Sequence, residues 1–190
     1  YTLVREGAWT IDKAIEMSRT ISQDLNQDGK ITYEDMVGWE GQLDDCWNMF
    51  YSSGSRIAAF DADGKLSLTM YTERSARAAE KIMTLVQDDA HYISANDYFG
   101  VTQWPVELCM ENFAAGNALF FSDSLGSLIN FQKMKGNYGL LPVPKLDEEQ
   151  ENYESFINPW VSSALCIPST LSMEDAEFAG AVLECMGYYS

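Results

Sequence analysis

The sequence predicts an α/β fold. Two observations carry this: segments with helical spacing of apolar residues alternate with short apolar runs bounded by turn residues, and hydrophobic residues make up 46% of 190, enough for a sizeable core. The apolar runs are short and broken by charge, so none reads as a membrane span. The formal net charge is −17 with only 12 Lys and Arg, which argues against a nucleic-acid surface, since that needs clustered basic side chains.

The elements follow in order. WTIDKAIEMSRTIS places Ile11, Ala14, Ile15 and Ile21 at helical spacing behind Thr10 as N-cap. MVGWEGQLDDCWNMFYSSG predicts a short helix, a break at glycine and a second helix ending at Gly54. RIAAF and KLSLT flank DADG, a hairpin whose turn uses Gly64. ERSARAAEKIMTLVQ is an amphipathic helix, and VELCMENFAAG is a helix opened by Pro105 and stopped at Gly116. NALFFS predicts a strand and SDSLGSLINFQKM a capped helix, while the prolines of YGLLPVPK keep it extended. LDEEQENYES reads as a polar surface loop, WVSSALCIP as a buried strand and SMEDAEFAGAVLECMGYY as a capped closing helix. No internal repeat or low-complexity linker divides the chain, so residues 1–190 read as a single unit.

The segment DLNQDGKITYED, residues 24–35, has the spacing of a calcium loop. Asp24, Asn26 and Asp28 alternate, Gly29 permits the sharp turn, Lys30 offers its carbonyl, and Thr32 and Asp35 complete the set. Ca²⁺ takes about six to eight oxygen ligands, and such alternation points successive side chains inward. Asp at the last position, in place of Glu, is the one departure. The plainer reading is a turn and a capping pair, Thr32 with Asp35, that needs no metal. A single loop with a short following segment predicts a structural calcium staple in place of a paired signalling module.

The four cysteines, Cys46, Cys109, Cys166 and Cys185, lack C-x-x-C spacing and read as buried free thiols, Cys109 and Cys185 on helix faces and Cys166 in a strand. His91 is the only histidine and reads as a surface residue, so a His-rich metal site is excluded. Nucleophile-elbow, zinc-protease, P-loop and dinucleotide motifs do not occur, and no catalytic residues are assigned. Asp44–Asp45, Asp88–Asp89 and Glu148–Glu149 are adjacent carboxylates, a spacing that seldom converges on one bond.

Five stretches carry a resemblance, in order along nearly the whole chain: GAWTIDKAIEMSRTISQDLNQDGKITYEDMVGW, FYSSGSRIAAFDADGKLSL, FAAGNALFFSDSLGSL, YGLLPVPKLDEEQENY and IPSTLSMEDAEFAGAVLECM. Together they resemble the extracellular solute-binding proteins of bacterial ABC transporters, of the carbohydrate-binding, maltose-binding-protein-like class. The resemblance implies the C-terminal lobe of a two-lobe, type II periplasmic-binding-protein-like fold, each lobe a three-layer α/β/α sandwich. It implies a monomer that binds an oligosaccharide in a cleft between this lobe and a first one, and passes it to a permease. It also implies an extracellular cell-surface lipoprotein; the chain begins at Tyr1 without Met or signal peptide and reads as a piece of a longer precursor.

Residue by residue, the resemblance places Gln42, Asp44 and Trp47 of QLDDCW, Ser122, Asp123 and Ser124 of FFSDSLG, and Asn158 and Trp160 of NPW at the cleft. Where the family often carries a stacking Trp, this chain has Leu125. Five Trp and ten Tyr suit sugar stacking, as do the many planar polar side chains. Trp9 and Trp39 read as core; for Trp47 and Trp160 core and cleft stay equally open. The alternative function is a calcium-stabilised surface adhesion module.

Overall fold

The computed structural model describes residues 1–132, 134–158 and 164–189, which fall into two compact units, Tyr1–Phe156 and Ile157–Ser190. The architecture is mixed α/β. The first unit runs α1 (Thr2–Arg5), α2 (Ile11–Ser18), β1 (Ser22–Gln23), β2 (Met36–Gly41), α3 (Asp45–Ser52), β3 (Ala58–Phe60), β4 (Leu66–Leu68), α4 (Glu73–Val86), β5 (Tyr92–Ser94), α5 (Val106–Ala115) and β6 (Ala118–Phe121). Short 3₁₀ turns cover Ala95–Tyr98 and Leu125–Phe131. The second unit contains α6 (Met173–Tyr189).

β2 is the spine of the main sheet. Trp39 pairs in parallel with both Tyr92 of β5 and Phe120 of β6, so those strands lie on opposite edges. Val37 pairs with Ala118 of β6 and, antiparallel, with Ser22 of β1, so β1 shares the β5 edge. The chain therefore leaves β2, returns on one side as β5, and crosses to the other side as β6. Ligands of α/β sheets collect beyond the carboxyl ends of the strands at such a reversal. β3 and β4 form a separate hairpin, Phe60 opposite Leu66, with Gly64 at φ 75° in its turn.

Two hydrophobic clusters hold the sheet. One joins Ile11, Ala14 and Ile15 of α2, Met49 and Phe50 of α3, and Ala78, Ile82 and Leu85 of α4 to Trp9, Trp39 and Tyr92. The other joins Cys109 of α5 to Val37 and Ile93. Each fully buried Leu or Ile in such a cluster contributes about 1.5–3 kcal/mol. α2 and α4 carry the caps their sequences call for: Thr10 Oγ accepts from the Lys13 amide (3.3 Å) and Thr72 Oγ from the Ser75 amide (3.1 Å). Gly116 ends α5 in the left-handed region at φ 88°.

The segment MVGWEG is a strand, not the expected short helix. Its two glycines, which read as helix breakers, admit close neighbours. A Cβ on Gly38 would lie 2.1 Å from the backbone oxygen of Ser18 at the end of α2. Val37 and Glu40, three residues apart, both meet the α5 side, whereas Trp39 packs into the α2 cluster. The expected helix at 123–134 is limited to a 3₁₀ stretch, Leu125–Phe131.

The expected surface loop at 146–155 is in part core. Leu146 is fully buried, and the buried Gln150 side chain receives the Leu146 amide (3.0 Å) and donates to the carbonyls of Ser52 and Asn152 (both 2.8 Å). In the second unit, Ser172 caps α6 through the Asp175 amide (3.1 Å) as expected. The expected buried strand at 160–168 is not found where it is described. Trp160 to Ser163 lie outside the described residues; Leu165 beyond them is 78% exposed and unpaired in any sheet. A strand needs a neighbour for its backbone groups, and the described part of this unit offers one helix only. Cys166 and Cys185 are accordingly exposed free thiols; of the four, only Cys109 is buried, and Cys46 is partly so.

Gly38→Ala is expected to destabilise the chain by at least about 2 kcal/mol in urea unfolding, because the obstructing atoms are main chain and cannot swing aside. Gly64→Val, with open space around it, is expected to cost only about 1 kcal/mol, through strain at positive φ. Equal effects would contradict the close approach of β2 to α2.

Candidate functional site

Beyond the carboxyl ends of β2 and β6 lies a cleft of about 540 Å³. Gly41 ends β2, and a Cβ there would meet Asp45 Oδ2 at 2.5 Å, the Ser122 Cβ at 3.3 Å and the Tyr92 hydroxyl at 3.4 Å. The missing side chain thus leaves a notch that the Asp45 carboxylate fills. Asp45 Oδ2 accepts from the Gln42 amide (2.9 Å). Burial is the main cause that pushes the Asp45 carboxyl up to about 7, with the negative Asp123 and Asp44 adding to it against the Gln42 hydrogen bond. The Tyr92 hydroxyl, buried and without a hydrogen-bond partner among the described residues, is raised by burial and by Asp45.

The cleft's polar mouth is made of Asp45, Asn48, Ser122, Asp123 and Ser124. Trp39 Nε1 donates to Ser122 Oγ (2.7 Å), which fixes that hydroxyl at the end of β6. Asp123 accepts from the Ser124 amide (2.6 Å) and the Ser127 hydroxyl (2.7 Å), so the turn after β6 is closed on its own carboxylate. Trp9 and Trp39 are core as expected, 3% and 5% exposed, each tilted against Phe120 with ring centroids 5.3 and 5.1 Å away. Their edges reach the cleft floor.

Of the residues expected at the cleft, Ser122, Asp123 and Ser124 line it. Gln42, Asp44 and Trp47 sit beside it without lining it. α3 begins at Asp45, so the helical face turned to the cleft is Asp45, Asn48 and Met49, at spacing i, i+3, i+4, and Asp44 and Trp47 belong to the neighbouring face. Trp47 is half exposed, edge-on to Phe50 at 6.4 Å. Asn158 belongs to the second unit, and Trp160 lies outside the described residues. Asp45 and Asn48 were readable from helical spacing once the helix start was known.

The loop 24–35 closes on its own amides. Asp24 accepts from the Gln27 and Gly29 amides (2.6 and 2.8 Å), Asn26 from that of Asp28 (3.0 Å), and Asp28 from that of Lys30 (2.9 Å). Gln27 at φ 62° and Gly29 at φ 83° supply the bends. Asp35 is fully buried and accepts from the Leu25 and Thr32 amides (2.8 and 2.9 Å) and the Thr32 hydroxyl (3.1 Å). Burial alone would raise its carboxyl; the Leu25 and Thr32 hydrogen bonds outweigh that and hold it below the usual range. Among the described residues no three Asp, Glu, His or Cys side chains gather closely enough to share a metal ion.

Behind the loop is a buried polar network that sequence reasoning missed. Asn112 Nδ2 on α5 donates to the Asp35 carbonyl (2.9 Å) and to Glu40 Oε1 (2.8 Å), and Asn112 Oδ1 accepts from Asn117 (3.0 Å). Glu40 is fully buried and its Oε2 has no partner among the described residues. Burial pushes its carboxyl up to about 8, against the Asn112 hydrogen bond. Its one sequence signal was a lone carboxylate in the apolar run MVGWEG. His91 is paired with Asp88 (2.8 Å), in turn held by Arg19 (2.8 Å), a structural link at the end of α4.

The chain matches no protein-family model, no curated protein and no solved structure.

Glu40 sets a pH dependence. Its folded pKa lies above the ordinary carboxylate range, so the folded state binds the extra proton and stability falls as pH rises from about 4.5 to about 8. Unfolding of Glu40→Gln, followed in urea across that range, is expected to lose a large part of this slope and to be more stable than the parent at pH 8. A parallel pair of stability curves would place the titration elsewhere.

Proposed function

We propose that this chain is a non-catalytic carbohydrate-binding lobe, the C-terminal lobe of an extracellular ABC-importer solute-binding protein with a type II periplasmic-binding-protein-like fold. The single observation that carries this reading is the cleft's polar mouth, where Asp45, Asn48, Ser122, Asp123 and Ser124 converge beyond the ends of parallel strands. Carboxylates, amides and hydroxyls are the groups that pair with sugar hydroxyls, and the adjoining aromatic floor suits C–H faces. α2, α3 and α4 packing against one hydrophobic cluster and α5 against the other supports the finer α/β/α reading. On this proposal a first lobe closes over the mouth by hinge motion, and a permease partner receives the oligosaccharide. The secreted, lipid-anchored location belongs to the same proposal.

The loop 24–35 is proposed as a calcium staple of this lobe. Support comes from the side chains of Asp24, Asn26 and Asp28, which all take backbone amides of the same short loop, and from the anchoring of Asp35 beneath it. Lys30 and Thr32 would add a carbonyl and a hydroxyl. Calcium would add charge neutralisation in a chain of net charge −17. Calcium is expected to raise the melting temperature above that in chelator, and Asp28→Ala to remove the difference; identical melting curves for the parent protein would leave a self-closed turn without metal.

NMR titration with a panel of oligosaccharides is expected to move the Trp39 indole and the Ser122–Ser124 amides, weakly in this lobe alone. Asp123→Ala is expected to weaken that binding at least tenfold, about 1.4 kcal/mol. Perturbations confined to other surfaces, or none with any sugar, would overturn the carbohydrate reading.

A further inference from the structure

The mouth of the cleft carries negative charge that no described side chain balances. Asp45 and Asp123 both line it, and none of the ion pairs among the described residues includes either of them. The titratable groups that face Asp45 are all acids: Asp44 and Cys46 on α3, Tyr92 on β5 and Asp123 after β6. No Lys, Arg or His lines the cleft among the described residues. The sequence holds no Lys, Arg or His beyond Lys145, so residues 146–190 cannot supply a countercharge wherever they lie. A second observation points to a ligand at the same place. The Tyr92 side chain is 4% exposed, and its hydroxyl has no hydrogen-bond partner among the described residues. That hydroxyl and Asp45 Oδ2 lie 3.4 and 2.5 Å from one point, the position a Cβ on Gly41 would take. Buried polar groups are nearly always paired, so an orphan hydroxyl beside an uncompensated carboxylate marks a place for a charged donor.

We propose that the cleft takes a cationic carbohydrate, an oligosaccharide with a free amino sugar whose primary ammonium sits at the Gly41 notch between Asp45 and Asp123. This deepens the sugar-binding reading of the same cleft and rests on it. Charge selects the group: an ammonium brings N–H donors to carboxylate oxygens, and such charge-assisted bonds are about twice as strong as neutral ones. The notch selects a primary ammonium over a quaternary one. A quaternary ammonium has no N–H to donate and is held by open aromatic faces. Trp9 and Trp39 are buried, with Phe120 packed against both. A metal ion is a poorer occupant, because among the described residues no three Asp, Glu, His or Cys side chains gather closely enough to share one. N-acetylation of the sugar would remove the charge and set an apolar methyl against two carboxylates. The ammonium stabilises ionised Asp45, so binding releases the proton that burial and the neighbouring acids hold there, and affinity rises with pH up to about 7.

The test is NMR titration of the 190-residue chain with tetrasaccharides of one linkage, built from glucosamine, N-acetylglucosamine or glucose, and with the simple diamine cadaverine. The glucosamine oligomer is expected to move the Trp39 indole and the Ser122–Ser124 amides with an affinity at least about tenfold above the other two sugars. That affinity is expected to be at least about tenfold higher at pH 7 than at pH 5. Asp45→Asn and Asp123→Asn keep an oxygen for the backbone amides that these side chains accept, and each is expected to abolish the preference; Asp45→Asn is also expected to flatten the pH dependence. Asp89→Asn, exposed before the start of β5 at the opposite end of the sheet, is expected to leave both unchanged. Equal affinity for the glucosamine and glucose oligomers would overturn this proposal and leave the carbohydrate reading standing. Shifts spread over the acidic surface, or a preference that survives both cleft variants, would also overturn it. Cadaverine bound at the notch with no response to any oligosaccharide would overturn the carbohydrate reading itself, and this proposal with it.

Discussion

The side chain of Asn112 is the contact on which this part of the molecule depends. With one amide group it holds the carbonyl of Asp35 and the carboxyl of Glu40, and its oxygen takes Asn117. Loop 24–35, the central strand and α5 are thereby fastened at one point inside the protein. Low local dielectric strengthens each of these bonds and raises the cost of losing any one. The loop's own hydrogen bonds shape it, but the bond from Asn112 fixes where that shape sits on the sheet. The position of the cleft follows, because β2 runs from Asp35's neighbour Met36 to the Gly41 notch.

Glu40 is the concession in this arrangement. One carboxyl oxygen is paired and the other is buried without a partner among the described residues. An unpaired buried oxygen is costly, and the group answers by holding its proton toward neutral pH. Asp45 behaves alike just beyond the C-terminal end of the same strand, for the same reason, burial. Two carboxyls that are neutral for part of the physiological range thus bracket the end of β2, and the acidic net charge of the chain overstates the charge at its centre.

Much of the first unit was legible in the sequence because its signals were local. Thr10 and Thr72 as caps, Gly64 in its hairpin and Gly116 as a stop act within a few residues of themselves. What was not legible depended on distant partners. MVGWEG became a strand because β5 and β6 were there to pair with it, and its glycines serve contacts with Ser18 and Asp45 that no local pattern encodes. Gln150 looked like surface in a polar run, yet it is the hydrogen-bond hub that joins residues 146–152 to the end of α3. Ser122, Asp123 and Ser124, which the resemblance placed at the cleft, follow β6 and line the cavity. On α3 the expectation missed by one residue, since the helix start sets which face turns inward.

The contact between Gly38 and Ser18 has a consequence for how this chain tolerates change. The atoms that crowd Gly38 are the Ser18 backbone, not its side chain. No replacement at position 18 removes them, so a larger residue at 38 has no compensating partner substitution. A side chain at position 38 is accommodated only if the main chain at the end of α2 or in β2 shifts.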